Sequence, residues 1–134
     1  MPNLSPFNIH LGKYLNEVTD GKSPLPLPFT KEILLLETYI AGTFHLENPD
    51  PETLSKTLRK NDRLKLIREQ ENLYDEFAIR VETERGEKVG YVPKKNNEVI
   101  ARLMDCGKLI YATIDEFNFV YERLSIEISI FMTD

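Results

Sequence analysis

The stretch Asn72-Leu73-Tyr74-Asp75-Glu76-Phe77-Ala78-Ile79-Arg80-Val81-Glu82-Thr83-Glu84-Arg85-Gly86-Glu87-Lys88-Val89-Gly90-Tyr91-Val92-Pro93-Lys94 decides the fold. Its entry, residues 69–75, is polar and reads as a loop. Phe77, Ile79 and Val81 then alternate with Ala78, Arg80 and Glu82, the period of a strand with one face in a core. Arg85-Gly86 supplies a tight turn, because glycine accepts a positive φ. Lys88 to Val92 returns as the partner strand, and Pro93, with no N–H to give a ladder, ends it. An antiparallel hairpin brings its two open ends together. Tyr74, Asp75, Tyr91 and Lys94 are therefore expected to share one surface patch of two rings, one carboxylate and one ammonium.

Working outward, the same patterns extend in both directions. Leu64 and Leu66 flank Lys65, which predicts a half-buried strand over 63–69. Asp50-Pro51-Glu52 combines a capping oxygen, a proline at the first helical position and a first-turn acid, so a helix is predicted to about Arg59. Ile33 to Phe44 is apolar and rich in β-formers, and reads as one strand. Downstream, Asn96 or Asn97 is expected to cap a helix whose buried face is Val99, Ile100, Leu103 and Met104, with Gly107 stopping it. Leu109–Ile114 is a further strand. Tyr121–Met132 is the clearest, with Leu124, Ile126, Ile128 and Ile130 alternating with Arg123, Ser125, Glu127 and Ser129. Six strands and two short helices make a mainly β fold, α+β in strict counting. A sheet of that size most economically curls into a small barrel that removes its edges.

Five of the eight prolines fall between Pro2 and Pro28, so residues 1–30 read as a Pro-rich N-terminal arm, with room for a short helix near Ile9–Val18, ahead of a domain spanning 31–134. The 134 residues suit one domain of ordinary size. A single cysteine, Cys106, excludes an internal disulfide and suits a reducing compartment. With neither a signal-like start nor an apolar run long enough to span a bilayer, the expected location is the cytoplasm, away from membranes. The net charge of −5 is unevenly spread: residues 1–52 and 105–134 each carry −4, whereas 53–104 carry +3. Within that middle third, Lys56, Arg59, Lys60, Arg63, Lys65 and Arg68 face only Asp62. Such a run is commonly a solvated face, yet it is the one place where a polyanion would be drawn.

Recognised catalytic patterns are missing. His10, His45 and Cys106 lack metal-ligand spacing, and no metal or cofactor is expected. Gly86 and Gly90 are turn and strand glycines, and no glycine-rich phosphate loop occurs. Cys106 beside a helix stop reads as a small packed thiol. The expectation is a binding module and not an enzyme.

The constellation resembles the HIRAN domain family. The resemblance runs from about Thr38 to Ile114, with the last strand belonging too, and rests on Ile40-Ala41-Gly42-Thr43-Phe44, on Leu64-x-Leu66-x-Arg68-Glu69, on Asn72-x-Tyr74-Asp75-x-x-Ala78-Ile79-x-Val81 and on Gly90-Tyr91-x-Pro93. It implies a modified OB-like barrel and capture of single-stranded DNA at a free 3′-hydroxyl end, in repair, replication or mobile-element handling. Helicase or nuclease partner proteins are implied, while no helicase or zinc domain is expected in this chain. By the same resemblance Tyr74 stacks on the terminal base or sugar and Asp75 accepts from the 3′-hydroxyl. Lys94 holds a phosphate, Tyr91 faces the strand, and Asn72, Phe44 and His45 complete the nucleic-acid-binding set.

This sequence departs from the DNA-end binders at Leu73, where proline is usual, at Phe44-His45, where a basic–aromatic pair is usual, and in its acidic balance. On spacing alone the residues read otherwise: Tyr74 covers the barrel end, Asp75 makes an Asx turn, Tyr91 lies in the core or its rim, and Phe44 lies in the core. A protein-interaction adaptor that kept the barrel without DNA binding is the alternative from another class, favoured by the acidic flanks.

Overall fold

A computed structural model describes residues 31–133. Residues 1–30, where a Pro-rich arm with room for a short helix is expected and where His10 falls, lie outside the described residues. The six strands are β1 (Glu32–Tyr39), β2 (Arg63–Arg68), β3 (Ile79–Thr83), β4 (Lys88–Tyr91), β5 (Leu109–Val120) and β6 (Arg123–Thr133). A 3-10 turn (Thr43–His45) and helix α1 (Pro51–Ser55) join β1 to β2, and helix α2 (Lys94–Asp105) joins β4 to β5. All neighbours are antiparallel, in the order β1-β6-β5-β2-β3-β4. No helix among the described residues is long and apolar enough to cross a membrane.

The core is built from the inward faces of these strands. On β6, Leu124, Ile126, Ile128 and Ile130 are all buried, as their alternation requires. A one-residue register slip would turn all four outward, at a cost of roughly 6–12 kcal/mol. That equals the whole stability of an ordinary domain, so the β6 register is fixed. Leu64 and Leu66 of β2, Ile79 and Val81 of β3 and Val89 of β4 join the same core.

The sheet curls, and its two outer members meet beyond the regular ladders. Ala41 donates its N–H to the Tyr91 carbonyl at 2.8 Å, and Tyr91 returns one to the Ala41 carbonyl at 2.9 Å. This isolated bridge brings the segment after β1 onto β4, the strand at the far end of the order. Gly90 makes the approach possible. A Cβ there would lie 2.5 Å from both the Ala41 oxygen and Ile40 Cγ2, and its φ of +152° is one that L side chains rarely adopt. A bulge in β4 sets Val81 opposite Gly90 and Glu82 opposite Lys88, leaving Val89 as the extra residue. The bulge puts Lys88 and Tyr91 on one outer face, with the lysine Nζ 4.6 Å from the tyrosine ring centroid.

Several expected boundaries move. The first strand stops at Tyr39 instead of Phe44, because Gly42, at φ 78°, turns the chain into the 3-10 turn. Phe44 is consequently 70% exposed rather than core. Asp50 caps α1 by accepting the Thr53 N–H at 2.8 Å, but the helix ends at Ser55, well before Arg59. The third strand begins at Ile79 instead of Phe77. Helix α2 starts at Lys94, with Pro93 at the cap position and no side-chain cap, so neither Asn96 nor Asn97 caps it. Its buried face is Asn97, Ile100 and Ala101, while Val99 is exposed. Gly107, at φ 94°, ends it as expected: its N–H reaches the Met104 carbonyl and that of Lys108 reaches Leu103. The fifth strand runs to Val120, past Ile114, with a bulge at Asp115 and a two-residue turn at Tyr121-Glu122, both left-handed.

The seam gives a test. Gly90→Ala is expected to lower unfolding free energy by about 2–3 kcal/mol in urea titration, from overpacking and backbone strain together. Gly86→Ala, in open space at φ 92°, should cost about 1 kcal/mol from strain alone.

Candidate functional site

The hairpin register sets the site. Arg80 near the start of β3 pairs with Tyr91 at the end of β4, and Val92 donates to the Ile79 carbonyl at 3.0 Å. The loop at residues 69–78 and the start of α2 therefore lie at the same end of the molecule. Asn97, 2% exposed on α2, joins them by donating its side-chain amide to Asp75 Oδ2 at 2.8 Å. The Ala41–Tyr91 bridge brings the Thr43–His45 turn beside the same strand end.

The loop is held at many points. Asn72 Oδ1 accepts the N–H groups of Tyr74 at 2.8 Å and Asp75 at 3.0 Å, and Asp75 Oδ1 accepts that of Phe77 at 2.9 Å. These are Asx-type turns that fix the backbone locally. Arg68, its side chain 11% exposed, donates to the carbonyls of Ala78 and Glu76 and makes a two-pronged pair with Asp105 at the end of α2. The arginine holds the Asp105 carboxyl below the usual aspartate range, with Gln70 adding a hydrogen bond. The frame presents Leu73 and Tyr74 to solvent, 92% and 90% exposed.

Beneath the loop, Glu69 gathers three partners. The Tyr91 hydroxyl donates to its carboxylate at 3.0 Å, Asn72 Nδ2 at 3.0 Å and Arg80 Nη1 at 2.6 Å. Arg80 also reaches Glu82 at 2.7 Å. Partial burial pushes the Glu69 carboxyl upward, but the hydrogen bonds from Asn72, Arg80 and Tyr91 outweigh it and leave the group below the ordinary glutamate range.

Each sequence-derived site residue thus has a place. Asn72 organises the loop and Tyr74 stands out from it. Asp75 is half-buried, with one oxygen in the Asx turn and the other on Asn97. Tyr91 is half-buried and bound to Glu69. Lys94 is the exposed first residue of α2 and makes no ion pair among the described residues. Phe44 and His45 lie exposed in the 3-10 turn, ring centroids 4.1 Å apart. Sequence reasoning missed Glu69 and Asn97 as supports. The phase of β2 held a signal for the first: with Leu64 and Leu66 inward, position 69 falls on the outward side with Lys65.

The family model for the HIRAN domain matches residues 33–133. The chain belongs to the HIRAN domain family. No curated protein matches it. Among solved structures, a structural-genomics target from Lactobacillus plantarum is similar at 25% identity and TM-score 0.71, covering 78% of this chain and 98% of that one. The human HLTF HIRAN domain is similar in fold, at TM-score 0.59 and 19% identity, covering 76% of this chain and 78% of that one. The expected OB-like HIRAN architecture is therefore the one present, and the Asn-x-Tyr-Asp and Gly-Tyr-x-Pro motifs of this HIRAN domain occupy one end of it.

The Glu69 cluster predicts a pH dependence. A carboxyl held below its unfolded value stabilises the fold fully above the ordinary glutamate range, and that contribution is lost as pH falls through the folded value. Glu69→Gln should be about 1–2 kcal/mol less stable than the parent at neutral pH. The urea midpoints of the two should converge as the buffer is taken below the ordinary carboxylate range.

Proposed function

We propose that this HIRAN domain is a non-catalytic module that binds single-stranded DNA at a free 3′-hydroxyl end. The observation that carries the reading is the Asp75–Asn97 hydrogen bond of 2.8 Å, which ties the Tyr74 loop to the helix that starts at Lys94. Through it a solvent-facing ring, a half-buried carboxylate and an ammonium belong to one end of the fold. Tyr74 supplies the stacking plate, a contact worth roughly 1–3 kcal/mol per base. Asp75 accepts from the terminal hydroxyl through its remaining lone pairs. A carboxylate repels phosphate, so its presence in a DNA site is accounted for by a hydroxyl that it reads. Lys94 holds the adjoining phosphate, with Phe44 and His45 at the margin. The work belongs to DNA-end handling in the cytoplasm, alongside a helicase or nuclease.

A second reading, docking of a partner protein, is favoured by the exposed Leu73 next to Tyr74 and by the net charge of −5. Fluorescence anisotropy with labelled strands ending in 3′-hydroxyl or 3′-phosphate separates the two. The expected outcome is tighter binding of the hydroxyl strand, weakened about 5- to 150-fold by Tyr74→Ala, as loss of one stacking contact implies. Asp75→Asn should narrow the gap between the strands. Failure to bind either strand at low salt would leave the partner-protein reading.

A further inference from the structure

We propose that the chain carries a second anion-binding surface, a cleft at the closed end of the β3–β4 hairpin that grips the phosphodiester backbone of a nucleic-acid strand. The proposal rests on the reading of the chain as a nucleic-acid binder but uses none of the residues assigned to the strand end. The cleft measures about 480 Å³ and lies between the segment after α1, the start of β2 and the β3–β4 turn. Lys56, Arg59, Arg63 and Arg85 line it, opposed by Asp62 and Glu84, for a net charge of +2 on a chain of −5. Local sign, and not the total, decides where a polyanion settles.

The four cations are in different states of readiness. Arg63 lies over the Tyr111 ring, its guanidinium carbon 3.6 Å from the centroid. Stacking fixes the plane of the fork and leaves its N–H edge for an oxyanion, so less side-chain entropy is lost on binding. The Arg59 side chain makes no ion pair among the described residues, while its backbone N–H already occupies Asp62 Oδ2 at 3.0 Å. That bond engages one oxygen of the opposing carboxylate. Lys56 holds an exposed pair with Glu52 at 3.8 Å, and the exposed Arg85 pairs with the half-buried Glu87 at 3.0 Å; such surface pairs are weak and exchange for a better anion. The other cations of the basic run are committed elsewhere or lie outside the cleft: Arg68 braces the loop, and Lys60 pairs with Glu116 at 2.9 Å.

Geometry favours a strand over a free anion. The cleft and the Tyr74 end are separated by the length of β3, about 17 Å at ~3.3 Å per residue. Lys65 and Lys88 lie between them, on strand positions that both pair with Glu82. One strand leaving the Tyr74 end could follow that face into the cleft.

The test is a salt titration by anisotropy, using labelled single strands of about a dozen nucleotides, inside the ~4–16 span of one OB fold. Strands ending in 3′-hydroxyl and 3′-phosphate are compared on the parent chain and on Arg59→Ala/Arg85→Ala. The slope of log affinity against log salt should fall by about 1.4 in the double variant, ~0.7 per lost phosphate contact, equally for both strands. The preference between strands should not change. An unchanged slope in a variant that melts like the parent overturns the cleft and leaves the 3′-end reading standing. A parent chain that ignores the strand end, yet keeps a slope dependent on Arg59 and Arg85, overturns the 3′-end reading and keeps the cleft. If the alanines lower the melting temperature, Arg59→Gln/Arg85→Gln repeats the measurement with the stems retained. Polyglutamate bound as tightly as the strand at matched salt would assign the cleft to acidic proteins and overturn the proposal.

Discussion

Two hydrogen bonds between Ala41 and Tyr91 hold together what the ladders leave apart. β1 and β4 stand at opposite ends of the sheet order, so curling alone would leave both edges open to other chains. The exchange of N–H groups across this pair stitches the edges at one point, and it needs Gly90 beneath it because any side chain there meets the crossing backbone. The bulge in β4 follows from the same place, and with it the outward aim of Tyr91 toward Glu69. The glycine of the Gly-Tyr-x-Pro motif is thus a closure residue, and the tyrosine after it inherits its position from the closure.

The polar cluster under the loop shows a second dependence. Glu69, Arg80, Tyr91 and Asn72 are only partly buried, and each is satisfied by another, which keeps the cost of their desolvation low. Removing Glu69 takes the shared acceptor from the Tyr91 hydroxyl and the Asn72 amide, while Arg80 keeps Glu82. With Arg68 and the Asx turns it makes the Tyr74 loop a rigid frame although no regular secondary structure runs through it. A loop held in this way needs little further ordering for anything that docks on it.

Legibility in the sequence followed the strength of local patterns. β6 was plain because its inward row is unbroken, and the β3–β4 hairpin because Gly86 marks its turn. β5 reads as ending at Ile114 because the bulge at Asp115 breaks the alternation, and because Tyr121-Glu122 adopts left-handed conformations that neither residue type advertises. Ile40 to Phe44 looks like strand by composition, but one left-handed Gly42 diverts it. The cap of helix α2 lies three or four residues before the asparagines that suggest it, because tertiary contacts use Asn97 as a link to Asp75 and Asn96 as an acceptor for Thr38. The convergence of the two motifs followed from hairpin geometry alone. Their support by Glu69 required contacts between residues 22 positions apart, which no local window reports.

The single-point stitch has a dynamic consequence. A sheet closed by a continuous ladder opens only with global unfolding, whereas one closed by a lone pair can part there at much lower free energy. The amide protons of Ala41 and Tyr91 should then exchange with solvent ahead of those in the β5–β6 ladder. Anything that touches the Thr43–His45 turn and the β4 terminus at once spans the crack and, by linkage, slows both protons together. Occupancy of this end of the molecule and integrity of the sheet are in that sense one equilibrium.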